Sequence, residues 1–427
     1  MRRFAILCFM TGCMAVLPPS LRAADAVGWR ECVREARQRH PDLASARALL
    51  SQAEAERRIA GSALLPSLSL SGSLASGAST GSGAGWSAST GSYFLSARQL
   101  IYDGRKSSKL KRASEATLGA RERSLAGVSA DVRFLLRSAY TGLLKAQELV
   151  SLTGEIRDRR RSNARLIALR YRAGREHLGS LRRAEADLAE AEYEVAQARR
   201  GLELARSLLS SALGRRERSP LRVAGSFEAE EPAAPPAPDF PALARRNPLV
   251  LELEANRKAA SYGLAAAESA FSPELYLASS AGKGGIGDWP PENTEWSAGI
   301  DLAVPIYEGG AGRARVSKAR AVLGEEDALL ESGMLGVLDL LEERWKSFMD
   351  ARGRLAVRKK YLEAAVERSR IAAAQYSNGL ISFDDWVIIE DNLVSAKKEF
   401  LNAGADLWIA EAAWIQAKGG GLDEIEG

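Results

Sequence analysis

The sequence predicts a mainly α chain with a small β part, in which long antiparallel helical hairpins are joined to a few strands. Three observations point there. No proline occurs between Pro66 and Pro220, or after Pro305, and proline breaks helix interiors. Within those stretches large apolar residues and alanines recur at heptad spacing. A series of motifs also occurs twice, first 207 and then 205 residues apart, so the chain is two copies of one unit rather than a short-period solenoid.

The elements follow in order. Met1-Arg2-Arg3 and the apolar run to Leu17 form a secretory signal. We expect it to span residues 1–23, with cleavage after Ala23 or alternatively Ala26. Cys13 sits in a faint lipoprotein-like box, MTGC. Cleavage would leave Cys32 as the only cysteine, which excludes an intramolecular disulfide. A net charge of +5 could suit nucleic acid or a membrane surface, but export argues against nucleic acid. No later segment offers about 18 uninterrupted apolar residues, so no transmembrane helix is expected.

The first copy spans residues 24–214, a Pro-rich linker 215–246, the second copy 247–418, and a flexible tail 419–427. HPDLASARALL from His40 matches NPLVLELEANR from Asn247. Each opens a helix of roughly 25 residues that ends before Pro66 or Pro273. His40 reads as an N-terminal cap or surface residue. Two strand-like segments follow, joined in the first copy by a Gly/Ser-rich loop (75–92) and in the second by GKGGIGDWPPENT. LIYDGR (Leu100–Arg105) and PIYEGG (Pro305–Gly310) then introduce long helices. The first, from Arg105 to about Arg170, would be roughly 100 Å long. Ala173-Gly174 and Asn378-Gly379 mark hairpin turns, where glycine tolerates a left-handed backbone. In the return helices Leu181, Leu188, Val195, Leu202 and Leu209 interleave with Ala184, Ala191, Ala198, Ala205 and Ala212. Trp386, Ile389, Leu393, Ala396, Phe400, Ala403, Leu407, Ala410, Trp414 and Ala417 repeat the series. Alanine on one seam lets the helix axes approach closely.

The strands alternate. Leu68, Leu70 and Leu74 face one way and Ser67, Ser69, Ser71 and Ser73 the other; Leu275 and Leu277, then Ile300 and Leu302, continue the pattern. About 9–11 such residues cross an outer membrane. Open sheet edges cannot face lipid, so four strands would have to pool with other chains. The alternative is a small soluble sheet capping a coiled coil.

No chemistry competes with this reading. Gly282–Gly287 formally matches G-x-G-x-x-G, but Asp288-Trp289-Pro290-Pro291 prevents the helix a dinucleotide site needs, so it reads as a flexible loop. His40 and His177 lack ligand-spaced partners, and no nucleophile–base signature appears. We expect neither cofactor, metal site nor enzymatic activity.

The ordered set HPDL/NPLV, LPSLSL/SPELYL, IYDG/IYEG, RYRAG/QYSNG and an alanine-rich return helix resembles the outer-membrane efflux protein (TolC) family, from about Val27 to Lys418. The resemblance implies a homotrimer pooling twelve transmembrane strands into one outer-membrane barrel, continued by a periplasmic helical tunnel. It implies a passive exit duct of a tripartite efflux pump or type I secretion system, with a periplasmic adaptor and an inner-membrane transporter as partners. The linker would form a belt around the tunnel. The lipid-facing residues would be Leu68, Leu70, Leu74, Leu275, Leu277, Ile300 and Leu302. Adaptor-docking turns would correspond to Tyr171, Arg172, Gly174 and Arg175, and to Asn378, Gly379, Leu380, Ile381 and Ser382. Tyr376 and Asp385 match periplasmic gate positions; the alternatives are tip packing and a solvated or capping carboxylate. Ser180, Ile381 and Ile388 depart from the family's charged gate pattern. The first tip is rich in arginine (157, 159, 160, 161, 165, 170, 172, 175, 182 and 183). That reads either as a solvated face or as an electropositive entrance. Outside the resemblance, the competing reading of the whole chain is a soluble periplasmic coiled-coil scaffold or adaptor.

Overall fold

The computed structural model describes residues 26–79, 86–218, 220–227, 236–286 and 289–423. The expected signal peptide, Cys13 and residues 424–427 of the tail lie outside these.

The two copies carry the same elements in the same order. In the first, α1 (Trp29–Arg39) leads into α2 (Pro41–Ser62), strands β1 (Ser67–Ser79) and β2 (Trp86–Tyr102), α3 (Lys106–Arg172) and α4 (Leu178–Ala212). After a short α5 (Phe240–Ala244), the second runs α6 (Pro248–Ser269), β3 (Glu274–Ile286), β4 (Asn293–Ala303), α7 (Ala311–Ser377) and α8 (Phe383–Ala417). Both long helices have 67 residues and both return helices 35. At about 1.5 Å per residue the long helices reach about 100 Å. His40 Nδ1 accepts the Asp42 N–H (3.2 Å) and Asn247 Oδ1 the Leu249 N–H (2.9 Å), capping α2 and α6 ahead of their first-turn prolines.

The alanine seam packs as expected. Ala184, Ala191, Ala198, Ala205 and Ala212 are buried against α3. The return helix α8 is buried on two sides, through Leu393, Ala396 and Ala403 and also Leu401 and Ala405, because it lies between α7 and α3. α4 packs chiefly on α3, with side-chain ion pairs such as Lys398–Glu194 reaching α8. The lateral order is therefore α4–α3–α8–α7, with α2 and α6 taking the places of α4 and α8 nearer the sheet. No helix among the described residues is long and apolar enough to cross a membrane.

Two expectations are corrected. Residues 75–79 and 86–92, expected as loop, extend the strands, and Gly282–Ile286 belongs to β3. Small uncharged residues on both sides of the hairpins pair as readily as they would turn. Within the linker, residues 221–227 are docked on the helices. Leu221, Val223 and Phe227 are buried with Leu136, Leu143, Leu209 and Leu401, and the Gln147 side chain brackets Val223 by accepting from its N–H and donating to its carbonyl, both at 3.0 Å. The tail is docked as far as Leu422, which is 2% exposed and whose N–H donates to Ser129 Oγ (3.0 Å).

Candidate functional site

The four strands form one antiparallel sheet in the order β1-β2-β3-β4. Residues paired directly across strands share a face. Leu68 pairs with Ala97 and Leu70 with Leu95; Leu95 meets Ala281, and Ala281 meets Trp296. Leu277 and Leu275 lie opposite Ile300 and Leu302. The row Leu70–Leu95–Ala281–Trp296 is thus apolar across all four strands, and the same face carries Ser279 and, nearer the β3–β4 turn, Lys283 and Thr294. Leu70 is 75% exposed on it and Trp296 79%; Leu68, Leu74, Leu277, Ile300 and Leu302 are exposed too, and Leu275 half-buried.

The other face carries the row Ser69–Ser96–Ser280–Ser297. Its hydroxyls pair across strands, Ser280 with Ser297 at 2.9 Å and Ser73 with Ser92 at 2.8 Å. The Arg98 guanidinium lies 3.9 Å above the Tyr276 ring on the same face. Phe94 also falls there. It is accommodated because position 282 is glycine: a Cβ would meet the Tyr93 carbonyl at 2.1 Å and the Phe94 ring at 2.7 Å.

At the far end of the helices the chain turns twice. Gly174 and Gly379 adopt φ of +67° and +75°, a left-handed geometry costly for other residues. Tyr171, Arg172, Gly174 and Arg175 are exposed on the first turn, and Asn378, Gly379 and Leu380 on the second. Ile381 is half-buried, and Ser382 caps α8 by accepting the Asp385 N–H (3.1 Å). The Ser382 hydroxyl donates to Asp385 Oδ2 (2.7 Å). Asp385 remains exposed and, with Ile381 and Ile388, lines a groove of about 600 Å³ between α7 and α8.

Tyr376 is buried and joins the two tips. Its ring stacks on Trp386 at 4.5 Å, its hydroxyl donates to Glu176 Oε2 (2.8 Å), and Arg170 sits over its other face at 4.4 Å. Arg170 also donates to the carbonyls of Tyr376 (3.0 Å) and Ser377 (2.9 Å). Burial and the neighbouring Glu176 carboxylate push the Tyr376 hydroxyl up to about 12. Burial opposes ionisation of Glu176, but hydrogen bonds from Tyr376, Ser180 and the His177 N–H outweigh it and hold the carboxyl below its usual value. Ser180 is buried and, with His177 as cap, closes the start of α4.

One turn-cluster further along, Arg159 on α3 makes a two-pronged contact with Glu390 on α8. Its Nη2 reaches Glu390 Oε1 (2.8 Å) and Ser369 Oγ (2.5 Å), and Ser369 donates to Glu390 (2.6 Å). Glu390 is 2% exposed. Arg160 pairs with Asp391. Sequence reading missed Glu176 and Glu390; an acid just off the α8 apolar seam, four residues after Trp386, was the one signal for Glu390. Among the ten tip arginines, 157, 159, 160, 161, 182 and 183 are ion-paired and Arg170 is held by carbonyls and a ring. Among the described residues, Arg165, Arg172 and Arg175 have neither an ion pair nor a hold of that kind. Among the described residues no cluster of three or more His, Cys, Asp or Glu is placed to hold a metal.

A family model described as outer membrane efflux protein matches residues 32–215 and 241–420. The outer membrane efflux protein BepC of Brucella suis biovar 1 is 25% identical over 344 residues, covering 77% of this chain and 69% of that one. Protein CyaE of Bordetella pertussis is 24% identical over 413 residues, covering 94% and 86%. The solved open-state MtrE outer membrane channel of Neisseria gonorrhoeae shares the fold, with a TM-score of 0.82 at 20% identity, covering 92% of this chain and 89% of that one. The family and its solved members are channels, not enzymes, and a soluble scaffold finds no support beside an apolar sheet face left bare. The chain belongs to the outer membrane efflux protein family and is an efflux channel protein of the outer membrane.

Proposed function

We propose that the working duct is a homotrimer that carries cargo passively and connects, through a periplasmic adaptor, to an inner-membrane transporter. The observation that carries this is the open sheet. Its order leaves the outer edges of β1 and β4 unpaired while one face exposes leucines, Ile300 and Trp296, and an open edge in lipid costs several kcal/mol per unsatisfied backbone group. The helical layer has matching free edges, α4 and α2 on one side and α7 on the other. Three copies joined β4 to β1 give twelve strands and abolish every edge.

In this arrangement Leu68, Leu70, Leu74, Leu275, Leu277, Ile300 and Leu302 meet lipid, and the serine face lines a water-filled pore. The turns at Tyr171–Arg175 and Asn378–Ser382 are the adaptor contacts. Asp385 supplies a carboxylate ring at the tunnel end, and Tyr376 holds the two hairpins of one chain together beside it. The docked linker segment 221–227 is part of the belt. Light scattering on detergent-extracted protein tests the assembly: a three-chain mass supports it, and a monomer or dimer contradicts it.

A further inference from the structure

The two tips are equivalent in backbone and opposite in charge. Residues 165–180 contain four arginines and one glutamate, a formal +3; the corresponding 370–385 contain two aspartates and one arginine, a formal −1, and that Arg370 is paired with Glu367. Most arginines near the first tip are neutralised locally, so the remaining charge is concentrated. Arg165, Arg172 and Arg175 are exposed and make no ion pair with any described residue. The one nearby acid, Glu176, is turned inward to Tyr376 and Ser180. Between these arginines the tip exposes Leu169, Tyr171 and Leu178, at 63%, 39% and 49%. An apolar and tyrosine centre rimmed by guanidinium groups has the composition of a protein-binding surface. At the second tip, Leu380 is exposed beside Asp384 and Asp385, both in the first turn of α8.

We propose that the first-hairpin tip is the docking site for a protein partner with an acidic, aliphatic-centred tip, and that the second tip does not accept the same surface. The proposal rests on the reading that the tips contact a periplasmic protein; it adds which tip takes which charge. Arginine suits the role because its planar fork binds carboxylates in two-pronged fashion. Like-charge contact at the second tip would reject the acidic partner, so the two tips offer non-equivalent sites to anything that approaches the tunnel end.

The test uses the full-length protein in nanodiscs and two synthetic antiparallel coiled-coil hairpins that differ only at the tip, one carrying aspartates and one asparagines. The acidic probe should bind more tightly, and raising the salt should remove its advantage. The triple variant Arg165→Gln, Arg172→Gln, Arg175→Gln should weaken it about tenfold, from three exposed charge contacts of modest strength each. Asp384→Asn should leave it unchanged. These arginines make no internal ion pair, and an unchanged melting temperature confirms that the triple variant folds. Equal affinity for both probes would overturn the charge assignment while leaving tip docking intact. Binding of neither would overturn both. Capture by phosphatidylglycerol vesicles with no preference between probes would overturn the protein partner in favour of a lipid surface.

Discussion

Leu70 and Ser71 are neighbours on β1 that face opposite ways, so the same substitution at each measures the two environments. Strand β1 has 13 residues, about 43 Å at about 3.3 Å each; tilted by about 40°, it rises about 33 Å, more than the roughly 25 Å apolar band. Leu70 lies three residues from the helical end, a rise of about 8 Å, between the interface and the midplane. An arginine facing lipid there costs about 2 kcal/mol. A barrel of three chains meets the cost three times, about 6 kcal/mol, or roughly 10⁴ in the assembly equilibrium. Arginine at Ser71 lies on the face opposite Leu70, beside Phe94, and should cost less than about 0.5 kcal/mol. The assay is the fraction of each variant recovered as an SDS-resistant oligomer from outer membranes. Leu70→Arg should largely abolish it and Ser71→Arg preserve it. Equal tolerance, or the reverse order, would show that the faces are wrongly assigned.

Three further outcomes follow from the packing. Glu390→Ala strands Arg159 and Ser369; because the Arg159 side chain is 44% exposed and can re-solvate, the loss should be about 1–2 kcal/mol rather than the roughly 3–5 of a fully buried broken pair, read by denaturant unfolding, with Glu390→Gln losing less. Phe227→Ala removes a buried ring that fits over Gly404 and should cost about 3 kcal/mol, whereas a linker lying free would show almost none. Glu176 is held below its usual carboxyl range in the folded chain, so its contribution is complete above the unfolded value near about 4.3 and is lost as the pH falls through the lower folded value. The melting-temperature gap between wild type and Glu176→Gln should be constant from neutral pH to about 5 and close below about 4; a gap that persists in acid would show that Glu176 does not act through its charge.

Much of the architecture was legible because the chain states it twice. The heptads of 181–212 and 386–417 and the turns at Gly174 and Gly379 locate both hairpins, since a 3.6-residue period and a left-handed glycine are local signals. The glycine-rich ends of the strands were not legible. Pore-facing strands built from Ser, Gly and Ala share their composition with loops, and only pairing, such as Phe94 over Gly282, separates the two. The buried contacts of Leu221, Val223 and Phe227 were not legible, because the prolines around them marked a linker without showing what it packs on. At the tips, residue types were readable but partners were not. Tyr376 meets Glu176 across 200 positions and Arg159 meets Glu390 across 231, contacts that spacing along one helix cannot reveal. Seven of the ten tip arginines turned out to be engaged for the same reason, which leaves a much smaller charged surface than the sequence suggested.

The central claim is that this chain makes a continuous water-filled wall through the outer membrane. Purified detergent-extracted protein added to planar bilayers tests it most directly. The account predicts long-lived conductance steps of uniform size, present for Ser71→Arg and absent for Leu70→Arg. Protein that stays in the soluble periplasmic fraction, or that inserts without conducting, would contradict it.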